Sequence, residues 1–295
     1  MDACALLPKR VSDPRIETPG GDPDIYRLIK TKSWIYREPS NTAAVDTQCL
    51  FGHEFCVYSK HGAWAYGQAV SPVAGGSPGY TGWMRLSHLR PSIAAPTHRI
   101  VSLKAPLFSR RDIKSRIKKI LPLNALIGGA LEGGERGLDA EDTDFIRHGR
   151  FFIHRAHAAP IAAPRAGGFP MDDFIAAAEA HMGLPYIWGG VSTDGLDCSG
   201  LIQSSLRAVG HDCLRDADQQ EASLGKTAAI GGGLTRGDLI FWPGHVGLMA
   251  DEATLLHANA FHMRTAKEPL RTAAARIGAP RTIKRMVQTY CVNVS

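Results

Sequence analysis

The sequence predicts an α+β protein in which two small β-barrels precede a mixed domain with its helices first and its strands after. Two observations carry that expectation. From Ile25 to about Pro160, short β-type runs alternate with Gly, Pro and Ser turns, which is the pattern of small barrels. From about residue 169, two stretches of helical periodicity come before three strand-like runs, the order of an α+β domain. At 295 residues, 44% hydrophobic and 21% charged, the chain is long enough for this arrangement and apolar enough to bury a core.

Residues 1–24 are rich in Pro, Asp and Gly and read as an extended arm. Residues 25–91 form the first barrel. Its expected strands are Trp34-Ile35-Tyr36, Phe55-Cys56-Val57-Tyr58 ending at a His61-Gly62 turn, Trp64-Ala65-Tyr66-Gly67, and Gly79-Tyr80-Thr81-Gly82-Trp83-Met84. The last run resembles the Gly-x-Gly-Trp segment that leads into the final strand of bacterial SH3-like domains, ending here at Leu89. Residues 96–160 read as a second, divergent copy, with strands at Ile100–Leu103, Ala105–Phe108, Leu121–Leu123, Phe145-Ile146 and Gly149–Ile153. The Ala- and Gly-rich run from Ala158 to Gly168 reads as a linker. Residues 169–295 form the last domain. A helix opens after Pro170, with Phe174, Ala177, Ala178 and His181 at helical spacing and a stop at Gly183. Asp197 to about Val209 is a second helix, with Leu201, Ile202, Ser205, Leu206 and Val209 on its buried side. Strands follow at Asp238–Trp242, His245–Met249 and Thr254–His257, and Val287–Val294 closes the domain.

Composition narrows the function. The formal charge of +6 is modest. The basic cluster Arg110, Arg111, Lys114, Arg116, Lys118 and Lys119 has neither zinc-ligand spacing nor an RNA-binding aromatic motif beside it, so no nucleic-acid partner is expected. The six cysteines include no C-x-x-C pair and give no disulfide framework, which argues against a zinc site and for a reducing compartment. No metal or organic cofactor is expected. No run reaches the roughly 18 apolar residues of a membrane span, and the N-terminus lacks a secretory pattern. These features predict a cytoplasmic protein with no membrane partner.

The chemistry centres on Cys198, placed at a helix start after an aromatic, glycine-rich approach. A thiol there feels the positive end of the helix dipole, which favours thiolate, and Ser199 and Gly200 keep the first turn small and leave backbone N–H groups free for an oxyanion. His245, with Gly244 and Gly247 nearby, is the candidate base. His257, 12 positions on, lies within reach of a hairpin return and is the candidate for orienting His245, with His262 a weaker competitor.

Five blocks agree in order and setting with a known family: Pro185-Tyr186-Ile187-Trp188-Gly189-Gly190, Asp197-Cys198-Ser199-Gly200-Leu201, Gly237-Asp238-Leu239-Ile240-Phe241, Gly244-His245-Val246-Gly247 and Leu256-His257-Ala258. Residues from about 170 onward resemble an NlpC/P60 peptidase domain, a papain-like family that cuts bacterial cell-wall peptides. With SH3-like copies in front, the layout is similar to the muropeptide-recycling γ-D-glutamyl-L-diamino acid endopeptidases. The resemblance implies a catalytic set of Cys198, His245 and His257, with Tyr186 beside the nucleophile. It implies that Asp197, also a helix cap, and Ser199 bind the free amine of an N-terminal L-alanine. By position, Glu54 and Tyr80 are the candidates for the wall that the first barrel adds to the cleft. Relatives carry a small hydroxyl residue after Arg215-Asp216, where this chain has Ala217. The implied partner is a murein peptide, L-Ala-γ-D-Glu-diamino acid. A lipid-acting amidase on the same scaffold, a cell-wall-binding protein and a wall-remodelling hydrolase acting on intact peptidoglycan are the rival readings.

Overall fold

A computed structural model describes residues 13–73, 76–128, 130–131, 144–161, 174–229 and 231–286. The first barrel has strands at Asp24–Leu28, Lys32–Tyr36, Val45–Leu50, Glu54–His61, Trp64–Ala69, Thr81–Arg85 and Leu89–Ala94, all antiparallel where they pair. Alternation along Lys32–Tyr36 and Thr81–Arg85 turns Ser33, Ile35, Gly82 and Met84 inward. Leu28, Ile35, Cys49, Phe55, Val57, Ala65, Met84 and Leu89 form the core.

The second unit has strands at His98–Ile100, Lys104–Phe108, Ile117–Pro122, Leu126–Ile127, Phe145–His148, Phe151–His154 and Ala158–Pro160. It repeats a device of the first. In each, a 3-10 turn stands just before the closing strand, Leu86–His88 in one and Arg155–His157 in the other. The last residue of each turn is a histidine bonded at 2.8 Å to a serine hydroxyl 55 positions earlier, Ser33 to His88 and Ser102 to His157. The backbone carbonyl of each histidine also accepts an early amide, that of Ile29 or Val101. Ala158–Pro160 is therefore a strand and not linker, because its backbone pairs with His98–Ile100. The expected linker beyond it falls mostly outside the described residues.

Among the described residues the last domain has four helices: α1 (Phe174–Glu179), α2 (Cys198–Ala208), α3 (Ala217–Ser223) and α4 (Leu270–Ile277). They flank a six-stranded antiparallel sheet in the order Lys226–Ala228, Thr282–Arg285, Leu239–Trp242, His245–Met249, Thr254–Asn259, Arg264–Pro269. α1 buries Phe174, Ala177 and Ala178 as its periodicity predicts, and Gly183, with φ 79°, follows it. α2 is capped by Asp197 and lays Leu201, Ile202 and Leu206 against Leu239, Phe241, Val246, Leu248 and Leu256 of the sheet. The expected strand Val287–Val294 lies outside the described residues. Among those described, no helix is long and apolar enough to cross a membrane.

Candidate active site

α2 starts where it does because Asp197, in extended backbone, accepts the N–H of Gly200 on Oδ1 at 2.7 Å. The small first turn is a packing requirement, since a Cβ on Gly200 would lie 2.1 Å from the carbonyl oxygen of Gly190. Cys198 is 5% exposed, and the backbone N–H groups of Val246 and Ser199 lie close enough to its sulfur to favour the thiolate. Val246 directly follows His245, so the thiol rests on the strand that carries the candidate base.

His245 Nε2 lies 2.8 Å from His257 Nδ1, and the two rings meet edge to face. The hairpin return expected from their spacing is the pairing of His245–Met249 with Thr254–Asn259. The far nitrogen of His257 reaches Glu268 Oε1 at 2.9 Å. Arg276 grips that carboxylate with both Nη atoms. His262 lies 3.4 Å from the same Glu268 oxygen and does not bond His245. Glu268 escaped the sequence reading because the run Arg264–Pro269 is polar and shows no strand signature, and Arg276 because it lies on α4, outside every motif of the sequence. The register explains the contact: Ala266 pairs with His257, and Glu268 stands two residues along on the same face.

The electrostatics overturn one expectation. Burial, reinforced by the Asp197 carboxylate, pushes the Cys198 thiol up to about 11, against the two backbone N–H groups and Arg215. Burial, helped by His257 and Arg276, pushes His245 down to about 4. The pair therefore rests as neutral thiol and neutral imidazole, because desolvation outweighs the N-terminal field of α2.

Asp197 is also differently employed than expected. Its Oδ1 accepts from Gly200 N, Arg215 Nη1 (3.0 Å) and Ser199 Oγ (3.3 Å); its Oδ2 accepts from Gly189 N (2.8 Å) and Arg215 Nη2 (2.6 Å). A carboxylate has about four lone-pair sites, and five donors already share this one. Ser199 is likewise buried, and its hydroxyl receives Arg215 Nη1 at 2.9 Å. Tyr186 is half-buried against the core beside Cys198, where burial raises its hydroxyl pKa. Ala217 begins α3 and is buried in the same core.

The first barrel meets this site through Val45–Leu50. Thr47 Oγ1 accepts Arg215 Nε at 2.8 Å, and Gln48 Oε1 accepts the N–H of Val191 at 3.2 Å. The barrel carboxylate on this strand is Asp46, not Glu54. Glu54 begins another strand, pairs across to Arg27 and accepts from the Ser92 hydroxyl, so it is not brought to the cysteine. Tyr80 does lie at the domain junction, but it is only 1% exposed and donates to Gln219 Oε1 at 3.2 Å. Its ring is covered by Arg15, 4.6 Å from the centroid. Residues 13–16 thus do not trail away as an extended arm. Asp13 caps a 3-10 turn, Pro14–Ile16, that docks here. The Arg15 guanidinium lies 2.6 Å from Asp13, 2.9 Å from Asp216 and 3.7 Å from Asp46.

This geometry can be set against known proteins. Residues 183–275 match the NlpC/P60 family, and residues 35–89 match the bacterial dipeptidyl-peptidase SH3 domain. A γ-D-glutamyl-L-lysine dipeptidyl-peptidase of Bacillus subtilis is 31% identical over 223 residues, covering 72% of each chain. The chain belongs to the NlpC/P60 family. It is a cysteine peptidase with an SH3-like domain ahead of its NlpC/P60 domain. A second γ-D-glutamyl-L-lysine dipeptidyl-peptidase, from Bacillus cereus, is 26% identical over 279 residues, covering 80% of this chain and 74% of its own. The fold matches a crystal structure of an NlpC/P60 family protein from Bacillus cereus with a TM-score of 0.71. That match spans 88% of this chain and 99% of the other at 20% identity.

Proposed function

We propose that this NlpC/P60 peptidase hydrolyses the bond between γ-D-glutamate and the diamino acid in murein peptides that carry a free N-terminal L-alanine. The observation that carries this reading is the seating of Cys198. Its sulfur lies at the start of α2 against the residue after His245, and His245 is bonded to His257. The names of the relatives support the γ-D-glutamyl part of the reading.

Attack begins from the neutral pair. As Cys198 Sγ closes on the carbonyl carbon, His245 takes its proton, and the tetrahedral oxyanion forms beside the backbone N–H of Cys198 at the start of α2. His245 then protonates the departing amine of the diamino acid. A γ-D-glutamyl thioester remains, and water activated by His245 hydrolyses it. Tyr186 borders the sulfur and shapes this side of the cleft.

Because Asp197 and Ser199 are spent on Arg215, the amine is read elsewhere. Asp46, Asp216 and the face of Tyr80 already hold a cation, the Arg15 guanidinium. This pocket adjoins the Asp197–Arg215 pair, and the substrate ammonium takes the place of the guanidinium in it. A free amino end marks a peptide already released from glycan, which supports a role in murein recycling in the cytoplasm.

The test uses L-Ala-γ-D-Glu-diaminopimelate and its N-acetylated form. The wild-type protein should cleave the first and spare the second, and Cys198→Ala should cleave neither while keeping its thermal midpoint. Turnover by Cys198→Ala would sink the nucleophile assignment. Equal cleavage of both peptides would return the enzyme to the wall-remodelling hydrolases that act on intact peptidoglycan.

A further inference from the structure

The contacts of His257 extend beyond the pair it makes with His245. Glu268 closes that line from the next strand, and Arg276 reaches it from α4. The guanidinium is itself clamped, with the Phe261 ring 4.0 Å from its centre. His257 is fully buried and Glu268 nearly so. A chain of four polar side chains whose two middle members are buried, and which ends in a charged pair, is costly to assemble and calls for a purpose.

The proton positions in this chain follow from the carboxylate. Glu268, held by a bidentate guanidinium, is ionised and is therefore an acceptor only. The groups facing it are His257 from Thr254–Asn259, His262 from the turn after that strand, and Arg276 from α4. Each has donors to offer and none needs Glu268 to donate. His257 must then carry its proton on Nε2, the atom 2.9 Å from Glu268, and being neutral it has a bare lone pair on Nδ1. That lone pair faces His245 Nε2 at 2.8 Å, so His245 must be the donor there. The remaining nitrogen of His245, Nδ1, is left without a proton.

We propose that Glu268, locked by Arg276, is a positioning residue that sets the tautomers of His257 and His245 in series and so leaves His245 Nδ1 bare to take the Cys198 proton. Without the carboxylate, the opposite assignment becomes equally good: His257 Nδ1–H donates to His245 Nε2, and His245 Nδ1 carries a proton toward the thiol. An imidazole in that tautomer cannot act as the base. Glu268 touches neither the thiol nor a substrate, and its effect is transmitted through two rings.

This inference rests on the assignment of Cys198, His245 and His257 as the reacting set, and its test separates the two. The 15N chemical shifts of the histidine ring nitrogens, read at pH 7 on the full chain, report the tautomers without any turnover. The wild-type protein should show protonated Nε2 and bare Nδ1 on both His245 and His257. Glu268→Gln places an amide N–H where the carboxylate oxygen stood. It should convert a large share of both rings to the Nδ1–H form and lower kcat roughly a hundredfold or more, with KM within about threefold. Arg276→Lys, which keeps a cation on the carboxylate, should retain the wild-type tautomers. Nδ1–H on either ring of the wild-type protein would overturn the proposal even if Glu268→Gln failed to fold. So would a Glu268→Gln protein with unchanged tautomers and unchanged kcat. An active Cys198→Ala protein would instead overturn the assignment beneath it and leave the tautomer result standing.

Discussion

Arg215 is 5% exposed, yet its guanidinium donates to Thr47, Ser199, Gly190 and both oxygens of Asp197. One side chain thereby ties the first barrel to the residue preceding the nucleophile. Such a pair adds little net stability over an apolar replacement of both partners, but removing one partner strands the other's charge. Arg215→Ala should therefore lower unfolding free energy by about 3–5 kcal/mol in urea titration. A loss below about 1 kcal/mol would mean that water reaches Asp197 and that the pair is not the anchor it resembles. The same residue accounts for an error in reading the sequence. An Asp beside a nucleophile looks available to a substrate when only its neighbours in the chain are known. Its availability is decided by Arg215, 18 positions away, and by Gly189, 8 positions away on the other side.

At the scale of the element, α2 was the most legible part of the chain. Cap, small first turn, buried stripe and glycine stop are all local in sequence, and Asp197, Gly200, Leu201, Ile202, Leu206 and Gly210 fall where periodicity puts them. What failed to show were elements whose polar residues face protein. Val45–Leu50 turns Thr47 and Gln48 into the domain junction, and Arg264–Pro269 turns Glu268 onto His257. Both lack the apolar alternation by which a strand announces itself. The candidate site was legible to the same extent: Cys198, His245 and His257 sit in local motifs, whereas Glu268, Arg276 and Asp46 enter through pairing and docking. The tight start of α2 makes its own prediction. In Gly200→Ala the new methyl would collide with backbone, not with a yielding side chain. The first turn must shift, so turnover should collapse while far-UV circular dichroism stays close to wild type. Unchanged kcat in that variant would show that the thiol tolerates a displaced first turn.

For the whole molecule, pH dependence reports how much histidine is buried neutral. His53, His148, His181 and His245 are each pushed by burial from 6.5 to about 4. A base depressed in the folded state is equally unprotonated in both states above 6.5. Below that, the unfolded chain binds protons that the native state refuses, so stability falls as pH drops toward 4, by about 1.4 kcal/mol per unit for each group. Glu268, held near 2 chiefly by Arg276, extends the loss to more acidic pH. Denaturation midpoints should be level from pH 8 to about 6.5 and decline steeply from there to pH 4. A flat profile across that lower window would contradict the neutral burial of these rings.

The two front units hold opposite ends of one helix. Thr47, through Arg215, holds the start of α2, whereas Arg99 of the second unit donates to the carbonyls of Arg207 and Ala208 at its end, at 2.7 and 3.1 Å. Asn124 adds a bond to the Ser204 carbonyl at 2.9 Å. Both units carry the same serine–histidine turn, so one local device braces the two contacts on this rod. Selectivity in such a protein is not a cassette. Exchanging the leading module for that of a relative would move the helix along with the pocket, so new substrate preference should arise by paired changes on both sides of the junction and seldom by domain shuffling.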